Sequence, residues 1–177
     1  MTKRQIGFIR RQHLFFVATA AGSGRVNLSP KGMDTFRVID SNTVAYLDLS
    51  GSGNETSAHL QNDGRITFMF CSFDQAPLTL RLYARGEVAR PGSAAWDELA
   101  PCFVQMHGQR QIVRARIDSL QDSCGYAVPR FEFTGDRDTL IKYYERFTPE
   151  QIQTKQATQV KSIDGLPIMP ACTAPDC

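Results

Sequence analysis

The sequence predicts a mainly β (α+β) fold: one antiparallel sheet curled toward a barrel, with a few helices at its periphery. Three observations predict it. At least six runs are rich in apolar, β-branched and aromatic residues, with breakers between them. TFRVID and TVAYLDL are separated only by Ser41 and Asn42, and a gap that short makes a hairpin. The helical patterns are few and short, without the strand–helix alternation of a parallel α/β sheet. Closing an antiparallel sheet into a barrel removes its exposed edges.

The elements follow in order. Ile6 and Ile9, spaced among charges, give a short N-terminal helix. HLFFVATA is a strand broken by AGSG, and RVNLSPKG is a second strand ending at Pro30 and Gly32. The hairpin comes next, then a glycine turn, then NETSAHLQN as a helix of about two turns. RITFMFCSF reads as a strongly apolar strand, and LTLRLYARGEVAR alternates as a half-buried one does. Ser93 caps a helix whose apolar face carries Trp96, Leu99 and Phe103. IVRARIDSL and YAVPRFEF return to strand character. Leu140, Ile141, Tyr144 and Phe147 make an amphipathic helix, and Thr148, Pro149 and Gln151 form a capping box that starts another. The end, KSIDGLPIMPACTAPDC, is punctuated coil. Residues 1–177 are expected to form one domain, with 148–177 a C-terminal helix and extended tail.

Composition narrows the function. The 177 residues are 42% hydrophobic and 21% charged, ordinary for a soluble globular chain long enough to bury a core. A net charge of +2 gives no argument for nucleic acid or an anionic membrane. Lys3, Arg4, Arg10 and Arg11 read as a solvated helix face. No apolar run is long enough to span a bilayer, and Arg10, Arg11 and Gln12 interrupt the stretch a signal peptide would need, so a cytoplasmic protein is expected. Of the five cysteines, none forms a CxxC pair, which offers neither a redox motif nor a zinc knuckle. Cys71 reads as core. Cys172 and Cys177 are near enough in sequence for a disulfide or a soft-metal site, but reduced thiols on a flexible tail are the preferred reading.

The stretch YLDLSGSGNETSAHL carries the strongest chemical signal. A strand ends in Gly51 and Gly53, and a helix begins. With Asp74 about twenty residues on, it imitates a dinucleotide fingerprint. The hairpin-joined strands before it and the short helix after it argue against that, because a Rossmann sheet is parallel and needs helical crossovers. The local physics still suits an anion. Glycines let backbone N–H groups approach closely, Asn54 is placed to cap the helix, and the amides of Glu55, Thr56 and Ser57 lie at its positive end. Ser50, Ser52, Thr56 and Ser57 add hydroxyls. Alone, the stretch reads rather as a capped turn without ligand, since it holds no cation. Lys31 at the end of VNLSPKG supplies one, provided the two strand ends meet. Asn27 and Ser29 share its face by the two-residue period.

RVNLSPKG, AYLDLSGSGNETSAHLQNDGRITFMF and LRLYARGEV together resemble the pyridoxamine 5′-phosphate oxidase-like family of flavin-binding split β-barrels, over roughly residues 5–90, and SIDGLP is similar to a C-terminal motif of one uncharacterised branch. The resemblance implies flavin mononucleotide (FMN) held at a homodimer interface. Asn27, Ser29 and Lys31 would line the flavin, with Tyr46 and Asp48 beside it. Gly53, Asn54, Glu55 and Thr56 would hold the phosphate, and Arg81 would meet the ring's polar edge. Further contacts would come from the second subunit, SIDGLP among them. Two departures count against oxidation of pyridoxamine phosphate itself. The true oxidase has Ser-Arg-Lys where this chain has Asn54, Glu55 and Thr56. It also uses a C-terminal tryptophan and arginine, whereas the one tryptophan here is Trp96.

The expected function is thus an FMN-dependent oxidoreductase acting on an unidentified small molecule. The alternatives are a non-catalytic flavin carrier or sensor, and a split barrel using a deazaflavin or haem. No catalytic residue is named, because a flavin brings its own hydride chemistry. His13, His59 and His107 read as structural, the last at a helix end near Gly108. No metal site and no nucleic-acid partner are expected.

Overall fold

A computed structural model of the chain describes residues 1–168. Cys172 and Cys177 lie outside them. The order is α1 (Lys3–Arg10), β1 (Phe15–Thr19), β2 (Asn27–Lys31), β3 (Phe36–Val38), β4 (Thr43–Leu49), α2 (Glu55–Asn62), β5 (Arg65–Cys71), β6 (Thr79–Ala89), α3 (Ala94–Leu99), β7 (Gln109–Ser123), α4 (Thr139–Tyr144) and α5 (Pro149–Ala157). The seven strands form one antiparallel sheet in the order β2-β1-β5-β6-β7-β4-β3. It curls into a half-barrel. Its edge strands β2 and β3 are not hydrogen-bonded to each other, so a seam stays open between the two ends of the sheet.

The concave side holds the main core: Phe15 and Val17 of β1, Val44 and Tyr46 of β4, Phe68 and Phe70 of β5, Leu80 and Leu82 of β6, with Phe8 and Ile9 from α1. Their two-residue spacing is the period of a strand with one buried face. Phe15, Phe36, Tyr46, Phe68 and Phe70 meet edge-on or stacked, with ring centroids 4.9–6.0 Å apart, the separations aromatic pairs prefer. A smaller cluster outside the half-barrel joins Ala45 and Leu47 to Leu99 and Trp96. Helix α2 packs on β1, β5 and β6. Gly86 makes this possible, because a Cβ there would stand 3.1 Å from both Leu60 and Ile66.

Several expectations need correction. YAVPRFEF is not a strand: residues 124–138 have no regular structure, Pro129 lacks the N–H a ladder requires, and the Phe131 amide bonds the Phe73 carbonyl at 3.0 Å. Phe103 and Phe147 fall outside α3 and α4. His107 sits in an exposed turn rather than at a helix end. The capping box at Thr148 and Gln151 is present, as is the Ser93 cap. Lys3, Arg4, Arg10 and Arg11 are exposed and Cys71 is buried. No helix among the described residues is long and apolar enough to cross a membrane.

Candidate functional site

The seam is closed chemically rather than by backbone pairing. Lys31, last residue of β2, reaches across to Asp48 near the end of β4, with Nζ 2.9 Å from Oδ1. The other carboxylate oxygen accepts from Arg110 Nη2 at 2.7 Å and Nε at 3.2 Å, and from Gln111 Nε2 at 2.9 Å. Two consecutive β7 residues serve one carboxylate because the ladder slips: Asp48 pairs with Gln111 but Leu49 pairs with Gln109, leaving Arg110 as the extra residue of a bulge. Bulges re-aim side chains in this way. Asp48 is only 1% exposed. Burial alone would raise its carboxyl, but the Arg110 guanidinium and then the Lys31 ammonium outweigh it and hold the group below its ordinary range.

The glycine turn follows Asp48 directly, so the start of α2 stands beside this ionic cluster. Asn54 occupies the N-cap position but does not cap. Its carboxamide is taken by Gln111, whose Nε2 donates to Asn54 Oδ1 at 2.8 Å. The amides of Glu55, Thr56 and Ser57 therefore donate to no acceptor among the described residues. Asn27 Nδ2 lies 3.3 Å from Thr56 Oγ1 and ties β2 to the helix. Gly51 and Gly53 both have negative φ, and a Cβ at Gly51 would meet nothing within 4 Å. Neither backbone conformation nor packing within the chain demands glycine at Gly51; close approach by a ligand would.

Eight of the ten predicted site residues line one cleft of about 270 Å³: Asn27, Ser29, Lys31, Asp48, Gly53, Asn54, Glu55 and Thr56, joined by Arg110. Tyr46 lies beneath it in the core. Its hydroxyl is buried without a partner that meets hydrogen-bond geometry, although Thr56 is near, and its ring is 5.8 Å from Lys31 Nζ. Burial first, and the Asp48 charge second, push its phenol well above the ordinary value. Arg81 is not with the others. It bonds Ser123 Oγ at 3.3 Å and sits across from Met69 on β5, away from the cleft. Arg110 spends donors on Asp48, on the Gly53 carbonyl at 3.0 Å and on Gln159 Oε1 at 2.7 Å, so Lys31 is the cation with N–H groups to spare.

A strap from the chain's own C-terminal segment crosses the turn. Gln156 donates to Ser50 Oγ at 2.8 Å, and Gln159 donates to the Gly51 carbonyl at 2.7 Å. Glu55 turns both carboxylate oxygens to the Ile163 amide at 3.1 Å. Asp164 pairs with the Arg25 side chain and accepts from its amide at 2.7 Å. SIDGLP thus docks on the α2 start of the same chain. Sequence reasoning missed Arg110, Gln111 and the strap glutamines. Arg110 lay just before the apolar run that marked β7, and a bulge leaves no periodic trace.

Fold and site together define a split-barrel protein with a polar, cation-bearing cleft at the seam. The family model for pyridoxamine 5′-phosphate oxidase matches residues 1–124. The chain belongs to that family. It is 42% identical over 139 residues to the pyridoxamine 5′-phosphate oxidase family protein ustO of Aspergillus flavus, covering 73% of this chain and 54% of that one. It therefore spans about half the length of that curated relative. Among solved structures, Group A Streptococcus HupZ aligns with a TM-score of 0.55 at 21% identity, over 70% of this chain and 94% of that one. A candidate pyridoxamine 5′-phosphate oxidase of Lactobacillus delbrueckii aligns with a TM-score of 0.56 at 18% identity, over 68% and 93%. At these identities the two structures share the fold.

Proposed function

We propose that the chain binds a flavin through its ribityl phosphate, with the FMN moiety in the seam cleft, and acts as an oxidoreductase on a small molecule. One observation carries this reading. Lys31, Asn27, Ser29, Ser52 and Thr56 line one cleft together with Glu55 at the α2 start, where the helix amides are free. That donor set fits a phosphate. Bound flavin would supply hydride transfer, and the protein would supply orientation and charge. Lys31 would balance the negative charge of the phosphate. A cleft of about 270 Å³ is under the usual size of a cofactor pocket and supports a site completed by a second subunit. Arg81, on the far side of the sheet, would reach a flavin only across such an interface.

A second reading, a non-catalytic flavin carrier or sensor, has its own support. Among the described residues no carboxylate stands free in the cleft, since Asp48 is held by two cations and Glu55 by the strap. The departures at Asn54, Glu55 and Thr56 favour a reaction other than pyridoxamine phosphate oxidation. The test is the visible spectrum of the purified protein, followed by release and identification of any chromophore. A colourless protein that binds neither added FMN nor added flavin adenine dinucleotide would overturn both readings. Anaerobic reduction by nicotinamide cofactors, then reoxidation by candidate acceptors, separates enzyme from carrier. Light scattering should give a dimer.

A further inference from the structure

The cleft does not end at the glycine turn. Past Gly53–Glu55 it opens into a groove of about 840 Å³ between the β2 edge and the strap, which shares Asn27 and the turn with the cleft. Its walls carry aliphatic side chains unusually open to solvent: Val26 (71% exposed), Leu28 (63%), Val160 (58%) and Ile163 (71%). Lys161 pairs with no acid among the described residues. Arg25 is mostly exposed and keeps donors beyond those given to Asp164. The acids at the border, Glu55 and Asp164, are already engaged. His59, 1% exposed, lies in the wall, with Nδ1 3.1 Å from Thr19 Oγ1 and Nε2 without a partner. The groove therefore offers aliphatic side chains on both its β2 and strap walls, cations with unspent donors and one unused polar atom.

Position decides what fits. In the pose proposed above, the phosphate lies between Lys31 and the α2 start. The groove begins where that phosphate ends. A substrate lodged there would face the wrong end of the cofactor for hydride transfer. A longer cofactor would not. We infer that the groove holds the adenylate half of an adenylated flavin, so that this chain binds flavin adenine dinucleotide (FAD) more tightly than FMN. Lys161 and Arg25 take the second phosphate, and the base lies flat between the β2 and strap aliphatics, covering them. This rests on the flavin reading and goes one step beyond it.

Titration of the apo-protein with FMN and with FAD tests it. FAD should bind at least about tenfold more tightly, a difference of about 1.4 kcal/mol. Val160→Trp, at an exposed strap position outside the cleft, fills the groove and should bring FAD affinity down to that of FMN while FMN affinity stays. Lys161→Ala should remove part of the FAD advantage without touching FMN. Equal affinities, tighter FMN, or an FAD advantage that survives Val160→Trp would overturn the inference and leave the flavin reading standing. Failure of both cofactors to bind would overturn both.

Discussion

Asp48→Asn is the most informative perturbation of the seam, because it separates stability from ligand affinity. The asparagine keeps the size but loses the charge. It leaves Arg110, itself only 9% exposed, facing an amide instead of a carboxylate, while Lys31 keeps the amide oxygen as its acceptor. Removing one partner of a buried ion pair costs about 3–5 kcal/mol. For a chain of this size that is about 2–4 °C per kcal/mol, so the melting temperature should fall by about 6–20 °C in differential scanning calorimetry. The sign with pH follows from the depressed carboxyl. Its folded pKa lies below its unfolded one, so its stabilisation is complete above the ordinary carboxylate range and fades as pH falls through the folded value. The gap between wild type and Asp48→Asn should be constant from about pH 5 to 8 and narrow below about pH 4. Flavin affinity should move the other way: removing a negative charge beside the phosphate donors should hold it or raise it. An unchanged melting temperature, or a gap that does not depend on acid pH, would refute the buried ionic seam.

Three further substitutions probe the site. Gly51→Ala should leave apo stability within about 0.5 kcal/mol, since its Cβ enters open space, yet weaken flavin binding about tenfold or more; unchanged affinity would mean that no ligand approaches the turn. Lys31→Ala should keep the fold, because Arg110 still pairs with Asp48, and weaken flavin binding about 10–100-fold, the worth of a charge-assisted hydrogen bond; unchanged affinity would remove Lys31 from the phosphate site. Glu55→Ala should cost about 1 kcal/mol or less and raise hydrogen exchange across residues 158–168, with the Ile163 amide first; undiminished protection of that amide would show the strap is held elsewhere.

The β framework was legible because its signals are local. Apolar, β-rich runs marked β4 and β5, two-residue alternation marked β6, and a two-residue gap marked the β3–β4 hairpin. YAVPRFEF misled because its composition is that of a strand while Pro129 breaks the ladder. Lys31 and the glycine turn were legible as a pair only once the strands were assumed to share one sheet; in the structure Lys31 pairs with Asp48, just before that turn, a partner the sequence reading did not name. Asn54 was legible as a cap by residue type, yet a competing carboxamide 57 residues away in sequence, Gln111, took it. Arg110 was illegible in principle. Its place in the site depends on a register slip between β4 and β7, which neither strand encodes alone.

Glu55 poses the sharpest electrostatic question, since an acid beside a phosphate should repel it. An acid in the first turn of α2 is favourable to the helix dipole on its own account. The carboxylate here is also spent, because both oxygens face the Ile163 amide and so point toward the strap. The consequence is a transfer of roles. Where the family resemblance leads one to expect bases on the helix, this chain leaves Lys31 on β2 as the available cation and uses the helix acid to anchor its C-terminal segment. Arg110 connects the two, since one side of its guanidinium holds Asp48 and the other holds Gln159 of the strap. Loosening the strap therefore disturbs the partners of Arg110 and, through Asp48, the position of Lys31. Binding at the turn and order in the strap should rise and fall together, with Glu55 as the hinge of that coupling rather than an obstacle to the phosphate.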